Sequence, residues 1–373
     1  MISAIKLHNF KCWADEEVPL GALTLVTGLN GAGKSTLLQS LLVLRQSHTQ
    51  GLLVAGRLAI NGELVMLGTG RDAFCEDAED DELGLSLKWH DGLVASWSFR
   101  YDKTADVLEA HDVQSLRIPD RPPFSGEVFY LAAERVGPRV SAEVSDFRVR
   151  VLRELGSRGE LVGHFLSVHG TAPIGVEALS HPAAASNAVI HQVEAWLGEI
   201  SPDARLHLSE HRDLDAVQIR YSFAGPMGAT NEYRATNVGF GLSYTLPILI
   251  AVLSAHPGGL VVIENPEAHL HPRGQVRIAE LLARAAANGV QVIIETHSDH
   301  VLNGVRLAVH EGTLKPADAR IHFFARRRTT ERAYSARSSP IMDADGRLEP
   351  WPAGFFDEME LSLARLMEPR RNI

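Results

Sequence analysis

Residues 23–44 read LTLVTGLNGAGKSTLLQSLLVL: an apolar run, a glycine-rich loop and a second apolar run rich in leucine. The fixed positions of the pattern G-x-x-x-x-G-K-[ST] are occupied by Gly28, Gly33, Lys34 and Ser35. The run before the loop predicts a strand, and the run after it predicts a helix that ends near residue 47. This order of strand, loop and helix decides the fold class, because it is the setting in which the pattern binds phosphates.

The loop has the chemistry of a nucleotide phosphate site. Its glycines let backbone N–H groups surround the phosphates, and the first turn of the helix adds positive potential. Lys34 is expected to reach the terminal phosphates and Ser35 to bind Mg²⁺. A glycine turn that only caps a helix is the alternative. The residues predicted to bind ATP here are Gly28, Asn30, Gly31, Gly33, Lys34, Ser35 and Thr36.

A second apolar run, residues 260–263, ends in two carboxylates, Glu264 and Glu267. An acidic group at the carboxyl end of a buried strand can hold the water shell of Mg²⁺ beside the glycine loop. A second one can orient the attacking water. We therefore expect Glu264 on the metal side and Glu267 as the general base. The alternative is that both carboxylates only stabilise the N-terminus of the next helix.

A third apolar run, residues 290–294, is followed by Glu295, Thr296, His297 and Ser298. It should end at the same edge of the sheet, where His297 would act as a switch histidine that contacts the γ-phosphate. A structural histidine is the alternative.

A fourth motif, residues 236–249, places glycines and a serine before an apolar helix. Backbone amides and a hydroxyl could bind an anion there, although glycine turns before buried helices are also common. The residues predicted to do so are Gly239, Gly241 and Ser243.

The remaining sequence predicts a β lobe and a helical insert. Strands are expected at LAING (58–62), LVMLG (64–68), LGLSLKW (83–89) and LVASWSFRY (93–101). The acidic run at 76–82 is expected to be a solvated loop without a function. Residues 141–196 are predicted to be largely helical.

Composition limits the function classes. The net charge of −10 argues against a generally basic nucleic-acid binder. The two cysteines, Cys12 and Cys75, are too far apart in sequence for a zinc motif, which favours a reducing cytoplasm. The longest apolar run, 246–253, is too short to span a membrane, and the N-terminus does not resemble a signal peptide. We therefore predict a cytoplasmic protein without a membrane partner.

The order of the motifs resembles that of ABC-type AAA-family ATPases of the SMC, RecF and OLD-like group. The matching stretches are IKLHNFK (5–11), the glycine loop (Walker A), the glycine–serine signature at 239–243, PEAHLHP (266–272) after the Walker B strand, and THS (296–298). More narrowly, ETHSDHVLNGVR (295–306) and WPAGFFDEME (351–360) are similar to small members of the group that end in a short domain of unknown function.

The resemblance implies an α/β P-loop NTPase fold, an ABC-type ATPase head with an antiparallel β lobe and a helical insert. It divides the chain into a first half of the head at 1–135, an insert at 136–225, a second half at 226–315 and a tail at 316–373. It further implies an ATPase that uses ATP and Mg²⁺ as a homodimer or higher homo-oligomer, with the signature of one subunit facing the Walker A loop of the other. A separate effector such as a nuclease, or DNA, would be the partner, in a setting such as phage defence.

The sequence departs from the group at Walker B, where the usual Asp-Glu pair is Glu264-Asn265. A carboxamide cannot act as a general base, so slow turnover is expected and a non-catalytic ATP sensor or assembly scaffold is the alternative function. Glu134, beside Arg135, could replace the Q-loop residue of the group, or the two could serve a structural salt bridge.

A group of arginines near the C-terminus allows a DNA-binding interpretation, with a solvated sheet edge as the alternative. These residues are Arg320, Arg326, Arg327, Arg328, Arg332 and Arg337.

Overall fold

A six-stranded sheet runs through the centre of the protein in the computed structural model, which describes residues 1–112, 118–226, 228–328 and 333–368. The strands in chain order are β1 (Ile2–Phe10), β2 (Trp13–Pro19), β3 (Leu23–Gly28), β4 (Arg57–Ala59), β5 (Glu82–Trp89), β6 (Val94–Arg100), β7 (Val107–Glu109), β8 (Val128–Leu131), β9 (Ala204–His211), β10 (Ala216–Gly225), β11 (Gly228–Ala229), β12 (Tyr233–Arg234), β13 (Leu260–Glu264), β14 (Gln291–Glu295), β15 (Ala319–Arg328), β16 (Ala333–Ser338), β17 (Ile341–Met342) and β18 (Leu348–Glu349).

Eight α-helices accompany these strands in the described ranges: α1 (Lys34–Thr49), α2 (Gly70–Ala73), α3 (Val162–His169), α4 (Val189–Ile200), α5 (Phe240–Ser254), α6 (Pro272–Ala287), α7 (Asp299–His310) and α8 (Glu358–Met367). A short π-helix covers Phe147–Val151. None of the helices in the described part of the chain has the length and apolarity that crossing a membrane requires.

The central sheet has the order β16-β15-β3-β14-β13-β8, and β16 is its one antiparallel strand. Strand β14 therefore separates the Walker A strand β3 from the Walker B strand β13. In the pairing register, Glu295 at the end of β14 lies opposite Val26 on one side and Glu264 on the other. The carboxyl ends of the three strands thus meet at one edge of the sheet.

Both faces of this sheet are buried, which explains why its strands are continuously apolar. Along β13, Val261 and Ile263 point into a core that contains residues of α3 to α7, whereas Leu260 and Val262 point into a core shared with α1 and the β lobe. The α/β fold predicted from the sequence is confirmed, as are the strands that flank the glycine loop and the Walker B motif.

The β lobe is an antiparallel sheet of order β2-β1-β5-β6. A buried side chain ties it to the central sheet: Gln291 Oε1 accepts from the Ile2 N–H at 2.8 Å, and Gln291 Nε2 donates to the Ile2 carbonyl at 2.6 Å. These two bonds join the first residue of β14 to the first residue of β1, and so fix the position of the β lobe against the central sheet.

The prediction of a strand at 64–68 is wrong. These residues form a turn that touches Asn61 through a single β-bridge. The Asn61 side chain bonds both the N–H and the carbonyl of Gly68, whose φ is 101°. Local side-chain bonds of this kind compete with strand pairing. Residues 141–196, predicted to be largely helical, contain the π-helix, α3 and the greater part of α4. The segments between these helices are mostly turns and irregular chain, so the prediction is confirmed only in part.

Candidate functional site

The glycine loop joins β3 to α1 in a conformation that glycine alone adopts easily. Gly28, Gly31 and Gly33 have φ values of 140°, 73° and 96°. A Cβ atom at Gly28 would lie 1.9 Å from the carbonyl oxygen of Phe324 on β15, so no larger residue fits there. The loop can therefore pass close to the neighbouring strand, where the Leu29 N–H donates to the Phe324 carbonyl at 3.2 Å.

Lys34 begins α1 and folds back over the loop. Its Nζ donates to the carbonyl oxygens of Gly28 and Leu29, each at 2.9 Å. Burial lowers the pKa of Lys34, and the nearby Glu295 opposes this shift. The ammonium group is thus held at the mouth of the loop, where phosphate oxygens could replace the two carbonyls as acceptors.

The Walker B carboxylate Glu264 accepts hydrogen bonds from residues on and just after β8, the strand that pairs with β13 on the side away from β14. Its Oε1 accepts from the Tyr130 hydroxyl at 2.9 Å and its Oε2 from the Ala133 N–H at 3.3 Å. The next residue, Asn265, adopts a positive φ of 45° and turns the chain sharply. Glu264 therefore lies at the predicted edge, with both oxygens already accepting hydrogen bonds.

Arg135 stabilises this turn, a role that the sequence did not reveal. It is 1% exposed and donates to the carbonyl oxygens of Glu264 at 2.7 Å and Asn265 at 2.6 Å. Burial lowers its pKa to about 10, opposed by Glu267, so the guanidinium stays charged at neutral pH. The neighbouring Glu134 points to solvent and pairs with Arg158 at 2.6 Å, so the proposed Q-loop role has no geometric support.

Glu267 connects the Walker B turn to the segment after β14 that carries His297, the predicted switch histidine. Its Oε2 accepts from the Thr296 hydroxyl at 2.7 Å, and its Oε1 accepts from the His297 N–H at 2.8 Å. A general base needs an oxygen that can take up a proton from water. Each oxygen of Glu267 accepts one hydrogen bond here and keeps a second lone pair, and the two bonds make the carboxylate a weaker base than a free one.

His297 lies at the exposed edge of the site. Burial and the nearby Lys34 lower its pKa, whereas Glu267 opposes the shift. The imidazole is therefore neutral near pH 7 and can offer one N–H donor. Glu267 fixes the backbone on which this ring stands.

Glu295 is the second residue that sequence reasoning left without a role. It is 6% exposed, and its Oε1 accepts from the Ser35 hydroxyl at 3.1 Å. Its Oε2 is buried and accepts no hydrogen bond from any described residue. Burial and Glu264 raise the pKa of Glu295 to about 7, against the effects of Ser35 and Lys34. The strand order is the signal that would have identified it, since β14 adjoins the Walker A strand.

A cleft of about 1180 Å³ opens beside the loop and is lined by Gly31 and residues 33–36. The stacked rings of Phe74 and Tyr101, with centroids 4.1 Å apart, and the acidic residues 76–81 line its other side. The acidic run, predicted to be a solvated loop without a function, therefore borders the candidate nucleotide site.

The signature residues are not brought to this cleft. Gly239 is exposed before α5, and a Cβ at Gly241 would lie 2.9 Å from the His269 carbonyl. Ser243 is half-buried and lines a separate small cavity together with the buried Tyr221. That Ser243 offers its hydroxyl to an anion stays a prediction.

The arginines near the C-terminus lie in different settings. Arg326 lines the cleft beside the glycine loop, while Arg337 bonds Glu16 at 2.6 Å and the Glu17 carbonyl at 3.0 Å. Arg320, Arg327 and Arg328 are exposed. The sixth, Arg332, lies outside the described residues. Binding of DNA by these arginines stays a prediction.

Three family models match separate parts of the chain. Residues 1–95 match an AAA ATPase domain, residues 185–303 match an AAA domain described as a putative AbiEii toxin of a type IV toxin–antitoxin system, and residues 314–366 match a protein of unknown function (DUF3696). The first two matches include the Walker A loop, the Walker B strand and His297. The predicted relation to AAA-family ATPases of the SMC, RecF and OLD-like group is confirmed, as is the C-terminal domain of unknown function.

An OLD nuclease from Thermus scotoductus is 22% identical over 330 residues. The match covers 80% of this chain and 59% of the nuclease, so the chain spans less than two thirds of that relative. Among solved structures, an SMC head bound to the C-winged helix domain of ScpA has a TM-score of 0.48 at 14% identity, with 91% of this chain and 98% of that chain covered. The SMC head domain from Thermotoga maritima has a TM-score of 0.45 at 11% identity, with 90% and 98% covered.

Replacement of Arg135 by lysine tests the Walker B turn. Lysine keeps the charge but cannot bridge the Glu264 and Asn265 carbonyls, and one buried acceptor would lose its donor. We expect the free energy of unfolding to fall by about 1–3 kcal/mol. The matched variant Arg158→Lys, on the exposed ion pair with Glu134, should change it by no more than about 0.5 kcal/mol. Urea unfolding followed by circular dichroism measures both, and equal effects would contradict the assigned role.

Proposed function

We propose that this protein binds ATP with Mg²⁺ at the carboxyl edge of its central sheet, hydrolyses it slowly, and uses ATP-dependent dimerisation to regulate a partner. The observation that supports ATP binding most strongly is the glycine loop, with Lys34 folded over its mouth. The phosphates would exchange with the carbonyls that Lys34 now contacts. The residues proposed to bind them are Gly28, Asn30, Gly31, Gly33, Lys34, Ser35 and Thr36.

The residues at this edge suit Mg²⁺, which prefers oxygen ligands. Ser35 offers a hydroxyl, and Glu264 would act on the metal side through its water shell. When bound, the ion supplies positive charge that neutralises the terminal phosphates. The excess of carboxylates around Ser35 supports this assignment, because buried anions need a compensating cation.

Hydrolysis would depend on Glu267 and His297. Glu267 is proposed as the general base, and the His297 imidazole would donate to the γ-phosphate. A non-catalytic ATP sensor is the second candidate, and two observations favour it. Asn265 replaces the usual glutamate, and both oxygens of Glu267 already accept hydrogen bonds.

Dimerisation would place the signature of one copy against the ATP of the other. The exposed start of α5 supports this proposal, because helix N-termini favour anions and Gly239 has open space around it. Gly239, Gly241 and the backbone at Ser243 would face the partner's phosphates. By resemblance to the OLD-like group, the regulated partner would be a separate effector such as a nuclease, or DNA, in phage defence in the cytoplasm.

The exchange of Lys34 for alanine tests ATP binding. Removal of the ammonium at the loop mouth should weaken ATP affinity at least tenfold without unfolding the protein. Fluorescence titration with a labelled ATP measures the affinity. The control Lys88→Ala removes an exposed lysine on β5 and should bind like the wild type. Equal affinity in both variants would refute the phosphate site.

Replacement of Gly239 by glutamate tests the shared interface. No atom of the described residues lies within 4 Å of a Cβ at Gly239, and an acidic residue at a helix N-terminus is favourable, so the fold should persist. The new charge would repel the partner's ATP. We expect light scattering with Mg²⁺ and a non-hydrolysable ATP analogue to show dimers for the wild type and monomers for this variant.

The control for this experiment is Gly198→Glu on α4, where a Cβ also meets open space. It should dimerise as the wild type does. Normal ATP-dependent dimers of Gly239→Glu would count against a signature that faces the partner's nucleotide.

A further inference from the structure

Three glutamates lie at the edge of the central sheet, and the proposed function assigns roles to two of them, Glu264 and Glu267. Glu295 remains without one. It ends β14, the strand that adjoins the Walker A strand, and it lies opposite Val26 in the register of that pair. Of the three glutamates, Glu295 is the one whose strand adjoins β3, the strand that leads into the glycine loop.

The hydrogen bonds of the three glutamates separate them further. Both oxygens of Glu264 accept from protein donors, Tyr130 and Ala133, and so do both oxygens of Glu267. Glu295 uses one oxygen to accept from Ser35 and leaves the other buried without a partner among the described residues. A buried acceptor without a donor lowers the stability of the fold, and Glu295 Oε2 is such an acceptor. A bound cation would compensate it.

A divalent cation fits this deficit. The Ser35 hydroxyl and the Glu295 carboxylate are 3.1 Å apart. Adjacent ligands of an octahedral Mg²⁺, each about 2.0–2.1 Å from the ion, are separated by about 2.9 Å. The distance joins the Ser35 oxygen to Glu295 Oε1, so the two atoms could occupy neighbouring coordination positions once the hydroxyl proton turns away, and the unpartnered Oε2 belongs to the same carboxylate. Glu264, in contrast, accepts from Tyr130 and Ala133 with its two oxygens.

We propose that Glu295, together with Ser35, binds the Mg²⁺ of Mg-ATP directly, and that Glu264 lies behind it as an outer group. This inference rests on the proposed ATP site. It gives the site a carboxylate ligand delivered by the strand between Walker A and Walker B. The amide at Asn265 is consistent with it, because a further carboxylate would add to a cluster that is already strongly negative.

Glu295→Gln tests the proposal through ATP binding with Mg²⁺ and in EDTA, measured by titration with a fluorescent ATP. The quantity to compare is the ratio of the ATP affinity with Mg²⁺ to the ATP affinity in EDTA. Loss of the carboxylate should lower this ratio at least tenfold. The same change should leave metal-free ATP binding equal or tighter, because a negative charge near the phosphates is removed. A residue that only supports the structure would weaken both.

Two further variants calibrate the result. Glu264→Gln should reduce the effect of Mg²⁺ less than threefold, because its carboxylate is bonded to Tyr130 and Ala133. Glu311→Gln removes an exposed carboxylate after α7 and should behave as the wild type. If Glu295→Gln lacks the wild-type circular dichroism, Glu295→Asp replaces it. Because its carboxylate is one methylene shorter, Glu295→Asp should lower the ratio of ATP affinities with and without Mg²⁺ at least threefold.

A folded Glu295 variant that keeps the full effect of Mg²⁺, or that weakens ATP binding equally with and without the metal, would overturn the proposal. The proposed function would survive that result, since the wild type would still bind Mg-ATP. A wild-type chain that binds no ATP would refute the proposed function and the inference together.

Discussion

Three parallel strands end side by side at one edge of the central sheet, and the negative charge collected there must be balanced. Glu264 and Glu267 are balanced by hydrogen-bond donors of the protein, whereas Glu295 has a buried oxygen without a partner in the described structure. Lys34 lies close enough to oppose the rise in the pKa of Glu295. Two other parts of the site hold these charges in place. Arg135 donates to the carbonyls of the Walker B turn, and the glycine loop accepts from Lys34 through the carbonyls of Gly28 and Leu29.

The same contacts connect the nucleotide site to the signature helix. Arg135 bonds the carbonyls of the Walker B turn and stacks on the Tyr244 ring of α5, 5.3 Å from its centroid. His269, on the loop after Walker B, packs against Tyr244 and Phe240 with ring centroids 4.5 Å and 5.2 Å away. A shift of the Walker B turn would therefore reach the start of α5 through packed side chains.

The sequence predicted the fold and the strand–loop–helix around the glycine loop because both depend on local pattern. Glycine spacing identified the loop, and the apolar runs of β3, β13 and β14 identified the sheet. Glu295 and Arg135 lacked assigned roles because those roles depend on strand order and on contacts between residues over 120 positions apart. The strand predicted at 64–68 failed because Asn61 satisfies Gly68 locally.

Calorimetric titration of the full chain with ATP, with Mg²⁺ present and after its removal by EDTA, tests the central claim most directly. We expect saturable binding of one ATP per chain, with an affinity that falls when Mg²⁺ is removed. Absence of binding, or an affinity that does not depend on Mg²⁺, would contradict the claim that the charges at this sheet edge are arranged for Mg-ATP.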